Sequence, residues 1–215
     1  MGAIDGLGGD AGYSSGMAIP PVEETTAWSA LDAEAKRGRL LGAAAGVFAR
    51  SGLDAPMPAV AAAAGAGVGS VYRQFPSKRD LLAALVVERL DQVRADTDAA
   101  LEDPAGPWSA LTDMLRAYAE RQAGDDVLAE AMAYIASDPE VDRAYALKTA
   151  SLERLLEAAR AEGRLRPDAT TQDLRLLFAA TRAAGQLEPG GWRRMLELGI
   201  DALDTEIRSS RTPSV

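Results

Sequence analysis

The chain has no cysteine and no histidine among its 215 residues. Without cysteine there is no disulfide framework and no thiolate to bind metal. Without histidine, Ser-His-Asp and Cys-His catalysis and the common zinc sites are excluded too. Long apolar runs are also missing: no uncharged stretch approaches the roughly 18 residues that a bilayer span requires. The opening MGAIDGLGGD has neither the basic start nor the apolar centre of a secretory signal. Strand-like alternation of β-branched residues is scarce. These absences predict a soluble cytoplasmic protein that is all-α.

What is present is enough to build a core, since 47% of the residues are hydrophobic. Net charge is −9, but it is unevenly spread. Residues 1–35 carry six acids and no base, while residues 36–90 carry eight bases against three acids. Everything after that is acidic again. A basic segment joined to an acidic body fits one part that meets phosphate and one that does not. Chance variation of surface charge is the plainer account of the same pattern.

Helix signals punctuate the chain from residue 32 onward. Asp32 is a candidate N-cap for a helix over 33–51, with Gly52 just past its end and Leu40, Ala44, Val47 and Phe48 as its apolar stripe. Short helices follow over 56–64 and 68–75. Pro76 stops the second of these, and Ser77 with Asp80 opens a long helix to about Asp96. After the break EDPAGP, helices are expected near 108–122, 125–136, 139–162, 171–185 and 190–207, about nine in all. The domain reading is a disordered arm over 1–31, a head over 32–91, a larger helical domain over 92–208 and a flexible tail over 209–215. Met17 is an alternative start.

The stretch GAGVGSVYRQF, residues 65–75, admits two readings. A phosphate-cradling loop needs a strand before its glycines, or a Gly-Lys-Ser/Thr run; the preceding MPAVAAAA is helical, and no lysine stands before Ser70. A helix-turn-helix needs two short helices joined by a tight turn. Gly65 supplies that turn, Val60 and Val71 point inward, and Ser70, Tyr72 and Arg73 are left to meet DNA.

Residues 39–82, and most specifically YRQFPSK at 72–78, resemble the DNA-binding domain of the TetR family of transcriptional regulators. The resemblance implies that Tyr72 and Lys78 contact phosphates, Ser70 a phosphate or base, and Val68, Gly69 and Arg73 bases, with Phe75 in the core. Arg37 and Arg39, beside Lys36, would add contacts from the first helix. One departure is Pro56-Met57-Pro58, where the family usually has a hydroxyl and then a basic or polar residue; it points to weaker operator binding.

Residues 107–133 and 155–180, with the link Gly163-Arg164-Leu165-Arg166-Pro167-Asp168, resemble the ligand-binding domain of one widespread class of these regulators. The resemblance implies a ligand-responsive homodimer that is not an enzyme and uses no metal or cofactor, a repressor of a palindromic double-stranded DNA operator. The dimer surface would be Leu174, Leu177, Trp192, Met195, Leu196, Ile200 and Leu203. Trp108, Met114, Tyr118, Met132, Tyr134, Tyr145 and Phe178 are candidate lining for a pocket. Arg116, Arg143 and Arg182 are possible polar anchors there, and a largely apolar small-molecule effector is expected. Two alternatives stay open: a helical interaction module that has lost DNA binding, and a nucleotide or cofactor binder using the glycines.

Overall fold

Residues 27–122, 127–135 and 137–206 are described by the structure, a computed structural model. The expected arm and tail fall mostly outside them. Residues 28–30 form a 3-10 turn, so the arm ends before residue 31. Nine α-helices follow among the described residues: α1 Ala33–Ser51, α2 Met57–Ala64, α3 Val68–Gln74, α4 Lys78–Leu101, α5 Pro107–Gln122, α6 Val127–Tyr134, α7 Pro139–Ala161, α8 Thr171–Leu187 and α9 Gly191–Leu203.

Their ends are fixed by the residues that signalled them. The Asp32 side chain accepts a hydrogen bond from the Ala35 amide at 2.8 Å, satisfying one of the free amides of α1. Ser77 and Asp80 form a reciprocal capping box at the start of α4, and Thr170 and Asp173 form another at the start of α8. Asp138 caps α7, whose first residue is Pro139, where a missing amide hydrogen costs nothing. Two boundaries differ from expectation. α4 runs on past Asp96 to Leu101, through the expected domain boundary at 91, because no Gly or Pro interrupts it. α8 continues through Gly185, which packs on Trp192, and the left-handed residue of the turn is Gly190.

Two buried cores result. One joins Leu40, Phe48, Val60, Val71, Phe75 and Leu82 and also takes in Ala131, Ile135, Val141 and Ala144 from α6 and α7. The other joins Leu111, Leu115, Leu155, Leu156, Leu174, Leu196 and Ile200. α4 contributes to both: Leu81, Leu82, Ala83, Ala84, Val86 and Leu90 sit in the first, and Ala100 in the second. α8 and α9 lie unusually close. A Cβ on Gly199 would stand 2.1 Å from a Leu177 methyl, and one on Gly191 would stand 2.5 Å from the Ala184 carbonyl oxygen.

Candidate nucleic-acid interface and effector cavity

α2 ends at Gly65, whose φ of +65° is a left-handed conformation that other residues adopt only at a cost. The chain turns there into α3. Val71 is fully buried against the α1 core, which orients the rest of α3 outward. Val68 and Tyr72 are 40% and 46% exposed, and Gly69 and Arg73 lie beside them on the same open face. Gly69 has open space where a side chain would be. Arg73 donates to the Ser70 hydroxyl at 2.9 Å, so the two are held as a pair. The residues before the glycines are helical, so these glycines end a helix and no strand feeds them into a phosphate loop.

Phe75 is buried beneath the guanidinium of Arg37, 4.8 Å from its ring centre. Lys78 is half-buried, with its ammonium 5.7 Å from the Phe48 ring. Arg39 lies beside the turn, a guanidinium nitrogen 3.4 Å from where a Gly65 Cβ would stand. The expected head residues therefore gather around α3, with the charged groups of Arg37 and Lys78 lying over the Phe75 and Phe48 rings. At the start of α2, Pro56 makes no side-chain cap bond, and Met57 turns into the core.

The helical body holds a cavity of about 320 Å³ between α4, α5, α6, α7 and α8. Met114, Tyr118, Met132, Tyr145 and Phe178 line it, as expected. Tyr118 and Phe178 meet edge to face, with ring centres 4.6 Å apart.

The other expected members do not line it. Trp108 is buried in the second core under the Arg164 guanidinium. Tyr134 is 58% exposed on the outside of α6. Arg182 and Arg143 are on exposed faces, and Arg116 reaches across to Glu197 on α9, with bonds of 2.9 and 3.0 Å. That pairing holds the Glu197 carboxyl below its usual range. Instead Arg89, Asp96, Arg121, Lys148, Thr171 and Arg175 supply the polar lining. Their signal in the sequence is their register. Tyr145, Lys148 and Leu152, or Thr171, Arg175 and Phe178, follow one inward helical face, so a cation interrupts each apolar stripe.

The expected subunit interface needs correction. Leu174, Leu177, Leu196, Ile200 and Leu203 are each 8% exposed or less within a single chain. They pack α8 and α9 onto α5 and α7 and have almost no surface left for a second copy. Trp192 and Met195 are half-buried. The outward faces carry Met195 and further apolar residues. On α8 these are Leu176, Ala180, Ala183 and Leu187, at i, i+4, i+7 and i+11; on α9, Met195, Leu198 and Ala202.

The link after α7 is clamped to the end of α9. Arg164 donates to the buried Asp204 carboxylate at 2.8 Å, and the Arg166 amide donates to the Leu203 carbonyl at 2.9 Å. Burial pushes the Asp204 carboxyl up. Hydrogen bonds from Arg164 and from the Glu206 amide, with the charge of Arg164, outweigh this and leave it below the usual range.

Residues 40–85 match the family model of bacterial regulatory proteins of the tetR family, and residues 106–205 match that of the SbtR-like transcriptional regulator C-terminal domain. Together these spans cover more than half of the chain. The chain belongs to the TetR family of transcriptional regulators.

Its curated relatives include the HTH-type transcriptional repressor KstR of Mycobacterium tuberculosis (strain ATCC 25618 / H37Rv), 33% identical over 106 residues, which is 48% of each chain. KstR of Mycolicibacterium smegmatis is 33% identical over 98 residues, 45% of this chain and 48% of that one. The chain thus spans about half the length of the curated relatives it matches. A TetR transcription regulatory protein from Mycobacterium vanbaalenii has a TM-score of 0.62 at 29% identity, covering 79% of this chain and 95% of that one. The TetR regulator SCO0520 from Streptomyces coelicolor gives 0.61 at 25%, covering 78% and 98%. No helix among the described residues is long and apolar enough to cross a membrane.

Proposed function

We propose that this TetR-family protein is a cytoplasmic repressor that binds a palindromic operator as a homodimer and leaves it when a small molecule enters the body cavity. The observation that carries this reading is α4. Its first residues, Lys78 and Arg79, directly follow the turn out of α3, and its middle residues Arg89, Leu90 and Val93 wall the cavity. Arg79 also donates to the carbonyls of Tyr134 and Ile135 at the end of α6, which carries the cavity residue Met132. A ligand that displaces Met132 or α4 has two routes to the head, and it shifts the DNA-bound population only by its differential affinity for the two states.

In the dimer, the outward stripes of α8 and α9 would pair with those of a second copy. Two α3 helices would then face half-sites about 34–36 Å apart. Tyr72, Arg73 and Ser70 meet the duplex, with Val68 and Gly69 against base edges and Arg37, Arg39 and Lys78 near phosphates. A module without DNA binding is the second reading, supported by the uncapped, proline-flanked start of α2.

Fluorescence-anisotropy titration against DNA upstream of the protein's own gene, at several salt concentrations, tests the choice. Saturable binding that exceeds random competitor DNA and weakens with salt is expected of the repressor. Equal weak binding to every sequence would favour the module. Leu176→Glu with Leu198→Glu should give monomers by sedimentation; an unchanged sedimentation coefficient would place the interface elsewhere.

A further inference from the structure

Of the five helices that wall the body cavity, four bring one cation each: Arg89 on α4, Arg121 on α5, Lys148 on α7 and Arg175 on α8. The lining has one carboxylate, Asp96, which already accepts from Arg121 at 2.7 Å and from Gln92 at 2.8 Å. Three of the four cations come from the acidic part of a chain whose net charge is −9. Lys148 is half-buried, and among the described residues no carboxylate pairs with it. Its ammonium lies 4.3 Å from the Tyr145 ring centre, and the Arg175 guanidinium lies 5.9 Å from the same ring. Two like charges thus share one aromatic ring at the cavity wall. Burial and the neighbouring Arg175 charge push the Lys148 ammonium below its usual pKa, as expected for cations held together without an anion between them. Much of the rest of the lining is apolar, including Met114, Leu115, Leu152, Leu174 and Phe178.

We propose that the effector is an amphipathic anion, its carboxylate or phosphate head set between Lys148 and Arg175 and its apolar body against Met114, Leu152 and Phe178. The proposal rests on the cavity being the effector site. A volume near 320 Å³ stands at the small end of the roughly 300–1,000 Å³ range of small-molecule sites, so the apolar body is short. Arg175 is exposed, and one of its guanidinium nitrogens donates to the Gln172 side-chain oxygen at 3.0 Å, which leaves its other N–H groups for a headgroup oxygen; Lys148 adds a point charge, so the pair can hold either headgroup.

Calorimetric titration with decanoate, decyl phosphate and decan-1-ol tests it, alongside release of the protein from its operator DNA. Anion binding should exceed that of the alcohol and fall roughly tenfold or more in Lys148→Met and in Arg175→Met. Lys148→Arg should retain it, the alcohol should be indifferent to all three changes, and Arg116→Met, outside the cavity, should change nothing. The stronger of the two anions identifies the headgroup. If decan-1-ol binds as tightly as the anions and Lys148→Met has no effect, the headgroup assignment is wrong. In that case, operator release by the alcohol would leave the effector reading standing. If none of the three binds to protein that still binds operator, the cavity is not a site for such molecules and both readings fall.

Discussion

The head and the body are both built from helices, yet they present charge in opposite ways. Around α3, polar and cationic groups face solvent, and the core beneath them is sealed by Phe48, Phe75 and Val71. In the body, Lys148 and Arg175 turn toward a cavity, and many exterior cations are matched by carboxylates, as Arg116 is by Glu197. An outward cation at the head meets a polyanion of any length. An inward cation in the proposed effector site would select one small anion. The difference shows how one composition of Ala, Leu and Arg can serve a surface and a pocket, depending on which helical face the cation occupies.

The strongest way to break this contrast is to ask whether the two regions are separate at all. Phe48→Ala in the head core should cost about 4 kcal/mol. Because α4 is continuous and Ile135 and Val141 lie in the head core, denaturant unfolding should remain one transition for head and body probes alike. Two resolved transitions would make the regions independent. Within the body, Gly199→Val should cost about 1–3 kcal/mol by driving a side chain into Leu177, read as a lowered melting temperature.

Asp204→Asn should cost about 2 kcal/mol near pH 7, because it leaves Arg164 without its carboxylate. The Asp204 carboxyl lies below its ordinary value in the folded chain, so this stability is present above the unfolded value of roughly 4 and is lost as pH falls through the folded one. The gap between variant and parent should therefore close as pH falls through the lowered folded value; a gap constant with pH would show that the ion pair is not its source.

Tyr72→Ala sharpens the head alone. Operator binding should weaken by about tenfold, near 1.4 kcal/mol, with the melting temperature unchanged because the ring is half exposed. Arg116→Ala should have the smallest effect, below about 1 kcal/mol, since both it and Glu197 are 44% exposed. A larger loss would mean that the α5–α9 contact matters more than its exposure suggests.

By itself the sequence determined the helices, most of their ends and the DNA-reading turn, because these depend on neighbours within one or two turns. Asp32, Ser77-Asp80, Asp138-Pro139 and Thr170-Asp173 each fix an end through bonds no more than three residues long. Gly65 and the buried Val71 set the turn in the same local way. Five cavity residues were legible as aromatic or methionine positions on inward faces. Its cations were not, because a lysine in a helical stripe reads as solvated until the facing helices are placed.

Only the tertiary structure decided which faces of α8 and α9 are inside. Both sides of those helices carry leucines, so periodicity alone could not separate the stripe of Leu196 and Ile200, buried against α5 and α7, from that of Leu176 and Leu198, left outside. The same packing decided that Arg116 pairs with Glu197 and that Lys148 turns to the cavity. Contacts between helices dozens of residues apart carry no local signature. They follow from which apolar areas can be buried together, and the whole chain settles that at once.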